Sequence, residues 1–193
     1  MEIELKIPLK AILSPIDVIS FLSHEFGSSS EEIRQIDYYF SSPIRNFAIT
    51  DEALRIRQIQ ARSGEEIIEL TYKGPKLGES MKIREEITLE TSNITDVKKF
   101  LQNLGFQVVA TVKKKRTNWL VRELTISVDE VEDLGSFLEI EIQTPTDNLE
   151  KIHKSKEQII NLVKKILPNW SGEDERKSYL ELLMARQVNN QGI

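Results

Sequence analysis

The stretch Lys82-Ile83-Arg84-Glu85-Glu86-Ile87-Thr88-Leu89-Glu90 alternates with period two. In an extended strand, side chains at i, i+2 and i+4 share a face. Lys82, Arg84, Glu86, Thr88 and Glu90 therefore fall on one side, against Ile83, Ile87 and Leu89 on the other. The polar side is charged and of mixed sign, whereas a solvated sheet surface would favour threonine and other neutral strand formers.

The same arrangement recurs away from this stretch. Glu2, Glu4 and Lys6 oppose Ile3 and Leu5. Arg55 and Arg57 oppose Leu54 and Ile56, and Glu69, Thr71 and Lys73 oppose Leu70 and Tyr72. Glu139 and Glu141 oppose Leu138, Ile140 and Ile142. In the basic run 113–116, Lys114 and Arg116 share a face, and Asp37 and Tyr39 share another. Alternation predicts eight strands, over residues 2–6, 35–40, 53–60, 66–73, 82–90, 108–121, 125–131 and 137–143. Ser63-Gly64, Gly74-Pro75, Gly78 and Asp133-Leu134-Gly135 supply turns between them.

Helical periodicity predicts segments 15–25, with Ser14 as N-cap, and 94–104, with Gly105 closing the C-terminus. A long amphipathic helix over 149–167 stops at Pro168, and a last helix covers 176–187 before a frayed tail at 189–193. Any one strand could lie in a sheet with its charged face in water. The repetition of the pattern, with helices available to cover the apolar faces, favours closure. The fold expected is α+β: an eight-stranded closed antiparallel β-barrel with helices packed outside and charged faces lining the lumen. Residues 1–193 form one domain that includes the helices from about 149 onward.

Composition narrows the function. Hydrophobic residues make up 39% of the 193-residue chain and charged residues 30%, an ordinary globular balance. A net charge of −5 argues against a nucleic-acid partner. There is no cysteine, which excludes disulfides, thiolate nucleophiles and sulfur-ligated zinc. No apolar run approaches the ~20 residues of a membrane span, and a cytoplasmic location is expected. His24 and His153 have surface or packing roles, and Trp119 and Trp170 pack.

Charges enclosed in a lumen are costly unless paired or met by a ligand. Arginine and lysine suit phosphate oxygens, and carboxylates suit magnesium or manganese. Together they imply a polyphosphate held with a divalent metal.

The ordered motifs resemble the CYTH family of triphosphate tunnel metalloenzymes, and within it the class IV adenylyl cyclases. Glu2-Ile3-Glu4-Leu5-Lys6 matches the hallmark Glu-x-Glu-x-Lys. The segments 35–40, Ala53-Leu54-Arg55-Ile56-Arg57, 70–75, Arg84-Glu85-Glu86-Ile87 and 113–119 follow in the family's order. The stretch 128–141 resembles the acidic hairpin of the cyclase-like branch, and Ser178-Tyr179-Leu180-Glu181-Leu182-Leu183 its C-terminal helix.

The resemblance implies an eight-stranded tunnel. It implies metal ligation by Glu2, Glu4, Asp129, Glu139 and Glu141, with Mg²⁺ or Mn²⁺ as cofactor. It implies phosphate contacts from Lys6, Arg55, Arg57, Lys73, Lys82, Arg84, Lys114 and Arg116, and catalytic roles for Glu2, Glu4, Lys6 and Asp129. The substrate implied is a small-molecule triphosphate: ATP, cyclised to cyclic AMP and pyrophosphate, or inorganic or thiamine triphosphate, hydrolysed. A homodimer is implied by resemblance alone, and a non-catalytic polyphosphate- or nucleotide-binding module stays open as a third reading.

Overall fold

The computed structural model describes residues 2–9, 13–76, 82–143 and 149–191. Among the described residues, nine antiparallel strands form one sheet: β1 (Glu2–Pro8), β2 (Glu31–Ser41), β3 (Ala53–Ala61), β4 (Glu66–Lys73), β5 (Lys82–Arg84), β6 (Glu86–Thr91), β7 (Gln107–Val121), β8 (Leu124–Val131) and β9 (Gly135–Gln143). Their order is β5-β1-β9-β8-β7-β2-β3-β4-β6. The two ends of this ladder, β5 and β6, are successive in the chain and separated by Glu85 alone. The sheet is thus a nearly closed barrel.

Here the expected count of eight strands is corrected to nine. The run expected over 82–90 divides at Glu85, because its first half pairs with β1 and its second half with β4. The Glu85 carbonyl leaves the ladder between them and accepts a hydrogen bond from Gly74 N at 2.9 Å. Alternation survives the break. Arg84 is opposite Glu2 and Glu86 is opposite Lys73, so both still face the lumen.

Outward faces make the core. Ile3, Leu5 and Ile7 of β1 join Ile126 and Val128 of β8 and Leu138 and Ile140 of β9 in the largest apolar cluster. Helices α1 (Pro15–Phe26) and α4 (Leu149–Ile166) cover it with Val18, Leu22, Ile152, Ile159 and Val163. Trp119 belongs to this cluster and donates its indole N–H to Gly27 O at 3.1 Å. A smaller cluster under α3 (Ile94–Asn103) gathers Phe40, Ile56, Ile68 and Leu101. Fully burying a side chain such as Ile140 contributes about 1.5–3 kcal/mol.

Local signals hold at the helix ends. The Ser14 hydroxyl caps α1 by accepting from Asp17 N at 3.3 Å. After α3, Gly105 adopts φ +89°, with Gly105 N bonded to Gln102 O and Phe106 N to Leu101 O. This is the paired Schellman closure that a left-handed residue permits. A short helix α2 (Phe47–Thr50), absent from the sequence reading, sits between β2 and β3.

The last helix, α5 (Tyr179–Gln191), starts later than expected and runs through residues expected to fray. Its start is fixed by reciprocal bonds, Glu181 N to Ser178 Oγ at 3.2 Å and Ser178 N to Glu181 Oε2 at 2.6 Å. No glycine or proline interrupts it before Gly192. Gly78 and residues 192–193 lie outside the described residues. Among the described residues, no helix is long and apolar enough to cross a membrane.

Inverted polarity gives an opposite outcome for neighbouring substitutions in β9. Ile140→Asp places an unpaired charge in the outer core and is expected to cost several kcal/mol, enough to unfold the barrel. Glu141→Gln, one residue on, should leave a folded protein. Urea denaturation followed by circular dichroism checks both; equal sensitivity would refute the inward placement of Glu141.

Candidate active site

A cavity of about 830 Å³ occupies the lumen and opens beside α2 and α5. Its basic groups lie mainly on β3 and β7 and its acidic groups mainly on β1 and β9, with Lys6 among the acids and Arg116 bonded to Glu139. The basic wall is held by carboxylates behind it. Asp37, 1% exposed, receives Arg57 Nε at 2.6 Å and Arg57 Nη2 at 2.7 Å, with Arg55 Nη1 at 3.8 Å. Burial alone would raise the Asp37 carboxyl, but the two guanidiniums outweigh it and hold it well below the usual carboxylate range. The periodicity had placed Asp37 on the inward face; its role as the anchor of Arg57 was not foreseen.

Asp129 does the same on the other side of the lumen. It is fully buried and accepts from Lys114 Nζ at 2.9 Å, from Arg116 Nε and Nη2 at 2.6 Å each, and from the Tyr179 hydroxyl at 2.9 Å. Arg116 also bonds Glu139. Burial would depress the Arg116 guanidinium, but Asp129 and Glu139 raise it well above its usual value. Burial and the neighbouring Arg116 push the Lys114 ammonium down to about 8, against the pull of Asp129 and Glu139. Lys113 and Lys115 point outward and are exposed, pairing with Glu132 and with Glu32 and Glu130.

The acidic wall lies on β1 and β9. Register places Glu4 opposite Glu141 and Lys6 opposite Glu139, with Glu2 one step along the same face. Like charges directly across a ladder repel. Burial, with Glu86, Glu141 and Glu4 nearby, pushes the Glu2 carboxyl up to about 8 despite Lys73 at 3.6 Å. Burial likewise raises Glu141, reinforced by Glu4 and Glu139.

Among the described residues, no three acidic side chains stand as a finished metal cage. The donor set nevertheless fits a divalent cation, because crowded carboxylate oxygens that repel one another are relieved by one. Glu2, Glu4, Glu139 and Glu141 belong to this wall. Asp129, expected with them, has both oxygens engaged by Lys114, Arg116 and Tyr179.

Of the expected phosphate contacts, Lys6, Arg55, Arg57, Lys73, Arg84, Lys114 and Arg116 all line the cavity. Arg55 Nε and Arg84 Nε are buried donors without a hydrogen-bond partner, available to an anion. Lys73 is bonded to Glu86. Lys82 lies on β5 opposite Glu4; its side chain falls outside the described residues. Toward the opening the lining changes to Pro43, Ile44, Phe47, Leu180 and Met184, an apolar margin that alternation in the strands could not reveal.

A nearly closed barrel with one basic and one acidic inner wall defines a charged tunnel suited to a polyanion and a cation. The chain belongs to the CYTH domain family, which it matches over residues 1–179. It is 34% identical to a Methanocaldococcus jannaschii protein named "Putative adenylate cyclase", over 94% of this chain and 98% of that one. The solved structure of a Pyrococcus horikoshii OT3 protein, 33% identical, superposes with a TM-score of 0.84 over 96% of this chain and 99% of the other. A Hippeastrum protein described as having a dominant triphosphatase activity shares the fold, with TM-score 0.61 and 21% identity over 97% of this chain and 96% of that one.

Removing the anchor of the basic wall should cost stability in a pH-dependent way. Asp37→Asn strands two buried guanidiniums, a loss of about 3–5 kcal/mol at neutral pH. The folded pKa of Asp37 lies below its ordinary 3.8, so its contribution is complete above that value and fades as pH falls through the folded one. The gap between variant and wild type should be flat above about pH 5 and narrow in acid. Urea midpoints measured from pH 3 to pH 8 test this; a gap unchanged in acid would contradict the assignment.

Proposed function

We propose that this protein is a divalent-metal-dependent enzyme that acts on a nucleoside triphosphate in the barrel lumen, converting ATP to cyclic AMP and pyrophosphate. The observation that carries the reading is the gathering of Glu2, Glu4, Glu139 and Glu141 with Arg55, Arg57, Arg84, Lys114 and Arg116 in the lining of one cavity. The basic wall binds and orients the phosphate oxygens. Asp37 holds Arg57 and Asp129 holds Arg116, so little reorganisation of these two guanidiniums is needed when charge develops on the leaving pyrophosphate. We therefore read Asp129 as the anchor of Arg116 and Lys114, not as a metal ligand. Held by the four glutamates, Mg²⁺ or Mn²⁺ would neutralise phosphate charge and help align the chain for in-line attack.

Cavity size and lining support an organic triphosphate. The volume of about 830 Å³ is in the range of pockets that enclose a drug-sized molecule. The apolar margin of Ile44, Phe47, Leu180 and Met184 gives a base or thiazole somewhere to rest. The relative named as an adenylate cyclase favours ATP. A cytoplasmic location suits such a substrate and a chain without cysteine.

Hydrolysis of inorganic or thiamine triphosphate is the second reading, favoured by the fact that the fixed charges are concentrated on the phosphate-binding end. A pure anion-binding module fits less well, since the acidic wall would repel phosphates without a cation.

Purified protein incubated with ATP, inorganic triphosphate or thiamine triphosphate, each with Mg²⁺, Mn²⁺ or EDTA, should give cyclic AMP and pyrophosphate from ATP, and nothing with EDTA. Orthophosphate as the sole product would establish the hydrolase instead, and no product from any substrate would leave the binding module. Glu4→Gln and Glu141→Gln are each expected to abolish metal-dependent turnover in a folded protein; unchanged activity in both would sink the metal assignment. Arg57→Ala should weaken triphosphate binding by about 1.5–3 kcal/mol, as for loss of one charged hydrogen-bonding group. Affinity equal to wild type by calorimetry would place Arg57 outside the site.

A further inference from the structure

The C-terminal segment does more than cover the barrel. Glu175 N bonds the Lys6 carbonyl at 2.7 Å, and Lys6 Nζ donates to the Lys177 carbonyl at 2.5 Å. Two residues on, Tyr179 enters the lumen at the start of α5 and is 5% exposed. Its ring centroid lies 4.3 Å from Lys6 Nζ and 5.0 Å from Lys114 Nζ. Its hydroxyl donates to Asp129, the carboxylate that also receives Lys114 and Arg116. Phe137 supports the ring edge-on, with centroids 5.0 Å apart. One side chain from outside the sheet therefore touches two ammonium groups on β1 and β7 and the carboxylate on β8.

We propose that Tyr179 is a positioning residue for triphosphate binding, whose ring holds both Lys6 and Lys114 in place in the cavity. This rests on the triphosphate reading of the site. Glu139, 4.0 Å from Lys6, and Asp129, 2.9 Å from Lys114, draw the two ammonium groups to different carboxylates, and the Tyr179 ring contacts both. The π-face of a buried ring attracts each, and more strongly where water is excluded. The Lys177 carbonyl fixes Lys6 from the same segment, so docking of residues 175–179 and the aim of Lys6 are one event. By linkage, a triphosphate that needs both lysines in place must also favour the docked state of α5.

Calorimetric titration of inorganic triphosphate with Mg²⁺ separates the role of the ring from mere packing. Tyr179→Leu should bind about tenfold more weakly, the loss of a desolvated cation–π contact. Tyr179→Phe, which keeps the ring and loses only the hydroxyl, should restore affinity to within about threefold. Leu183→Ala also loosens the packing of α5, in the apolar cluster with Val112, Val131 and Phe137, but keeps the ring, and should bind within about threefold of wild type. In turnover the Leu variant should raise KM far more than it lowers kcat.

Wild-type affinity in Tyr179→Leu overturns the proposal, and so does a loss in Leu183→Ala equal to that in Tyr179→Leu. If Tyr179→Leu does not fold, Tyr179→Met takes its place. If neither folds, the ring-current shift of the Lys6 ε-methylene signal in wild type decides: retained on adding triphosphate, it supports the proposal, and lost, it overturns it. Wild-type protein that binds no triphosphate overturns the functional reading itself, and the inference falls with it.

Discussion

Everything in this protein depends on pairing charge inside a lumen. A barrel of this size can be filled by apolar side chains alone. Here Lys6, Arg55, Arg84, Lys114, Arg116, Asp129 and Glu139 are buried in its place. Each would carry a heavy desolvation cost if left alone. The structure meets that cost by giving each basic group a carboxylate at hydrogen-bonding distance or a neighbouring acid on the next strand. Asp37 and Asp129 carry most of this load, each engaging basic groups on the strands beside it.

That solution is not the cheapest in stability. Buried ion pairs are often matched or bettered by well-packed apolar residues of similar volume. The outer surface shows that the chain packs apolar residues well where it can: Ile3, Ile126, Leu138 and Ile140 alternate with the lumen residues and are essentially inaccessible. The charged lining is therefore a departure from the stable default, confined to one face of each strand. The two walls also differ in how completely they are paired. Asp37 and Asp129 are saturated by their guanidinium and ammonium partners. Glu2 and Glu141 are crowded by other carboxylates, and burial together with that crowding raises both. The lining thus pairs Arg57, Lys114 and Arg116 closely, leaves Arg55 Nε and Arg84 Nε without a hydrogen-bond partner, and crowds the carboxylates of β1 and β9 against one another.

Much of this was legible in the sequence because alternation is local. Which residues of 2–6, 53–57 or 137–143 face inward follows from period two, and the structure places Glu4, Arg55, Arg57 and Glu139 on the lumen. The choice of Lys114 and Arg116 over Lys113 and Lys115 follows from the same rule. What depended on contacts between distant strands was not legible. The break at Glu85 leaves alternation intact, so only the change of partner from β1 to β4 exposes it. Asp129 reads as one more acid on an inward face until Arg116, Lys114 and Tyr179 are found around it. Residues 176–178 read as part of the last helix and 173–175 as loop, yet Glu175 and Lys177 carry the backbone bonds to Lys6.

The same distinction explains how the fold can separate binding from chemistry. Lumen positions on adjacent strands are fixed by register and cannot shift singly, because a one-residue slip would turn every charged side chain to the outside. The charged lining is therefore rigid. The opening is built otherwise, from the α2 loop and α5, which are joined to each other through side chains. Lys76 Nζ reaches Asp51 at 2.7 Å, at the end of α2, and Glu181 at 3.1 Å, in the first turn of α5. Asp51 and Glu181 are partly exposed, and such pairs contribute little. A rigid charged lining and a loosely tied apolar opening let loop substitutions reshape the entrance while leaving the lumen residues in register.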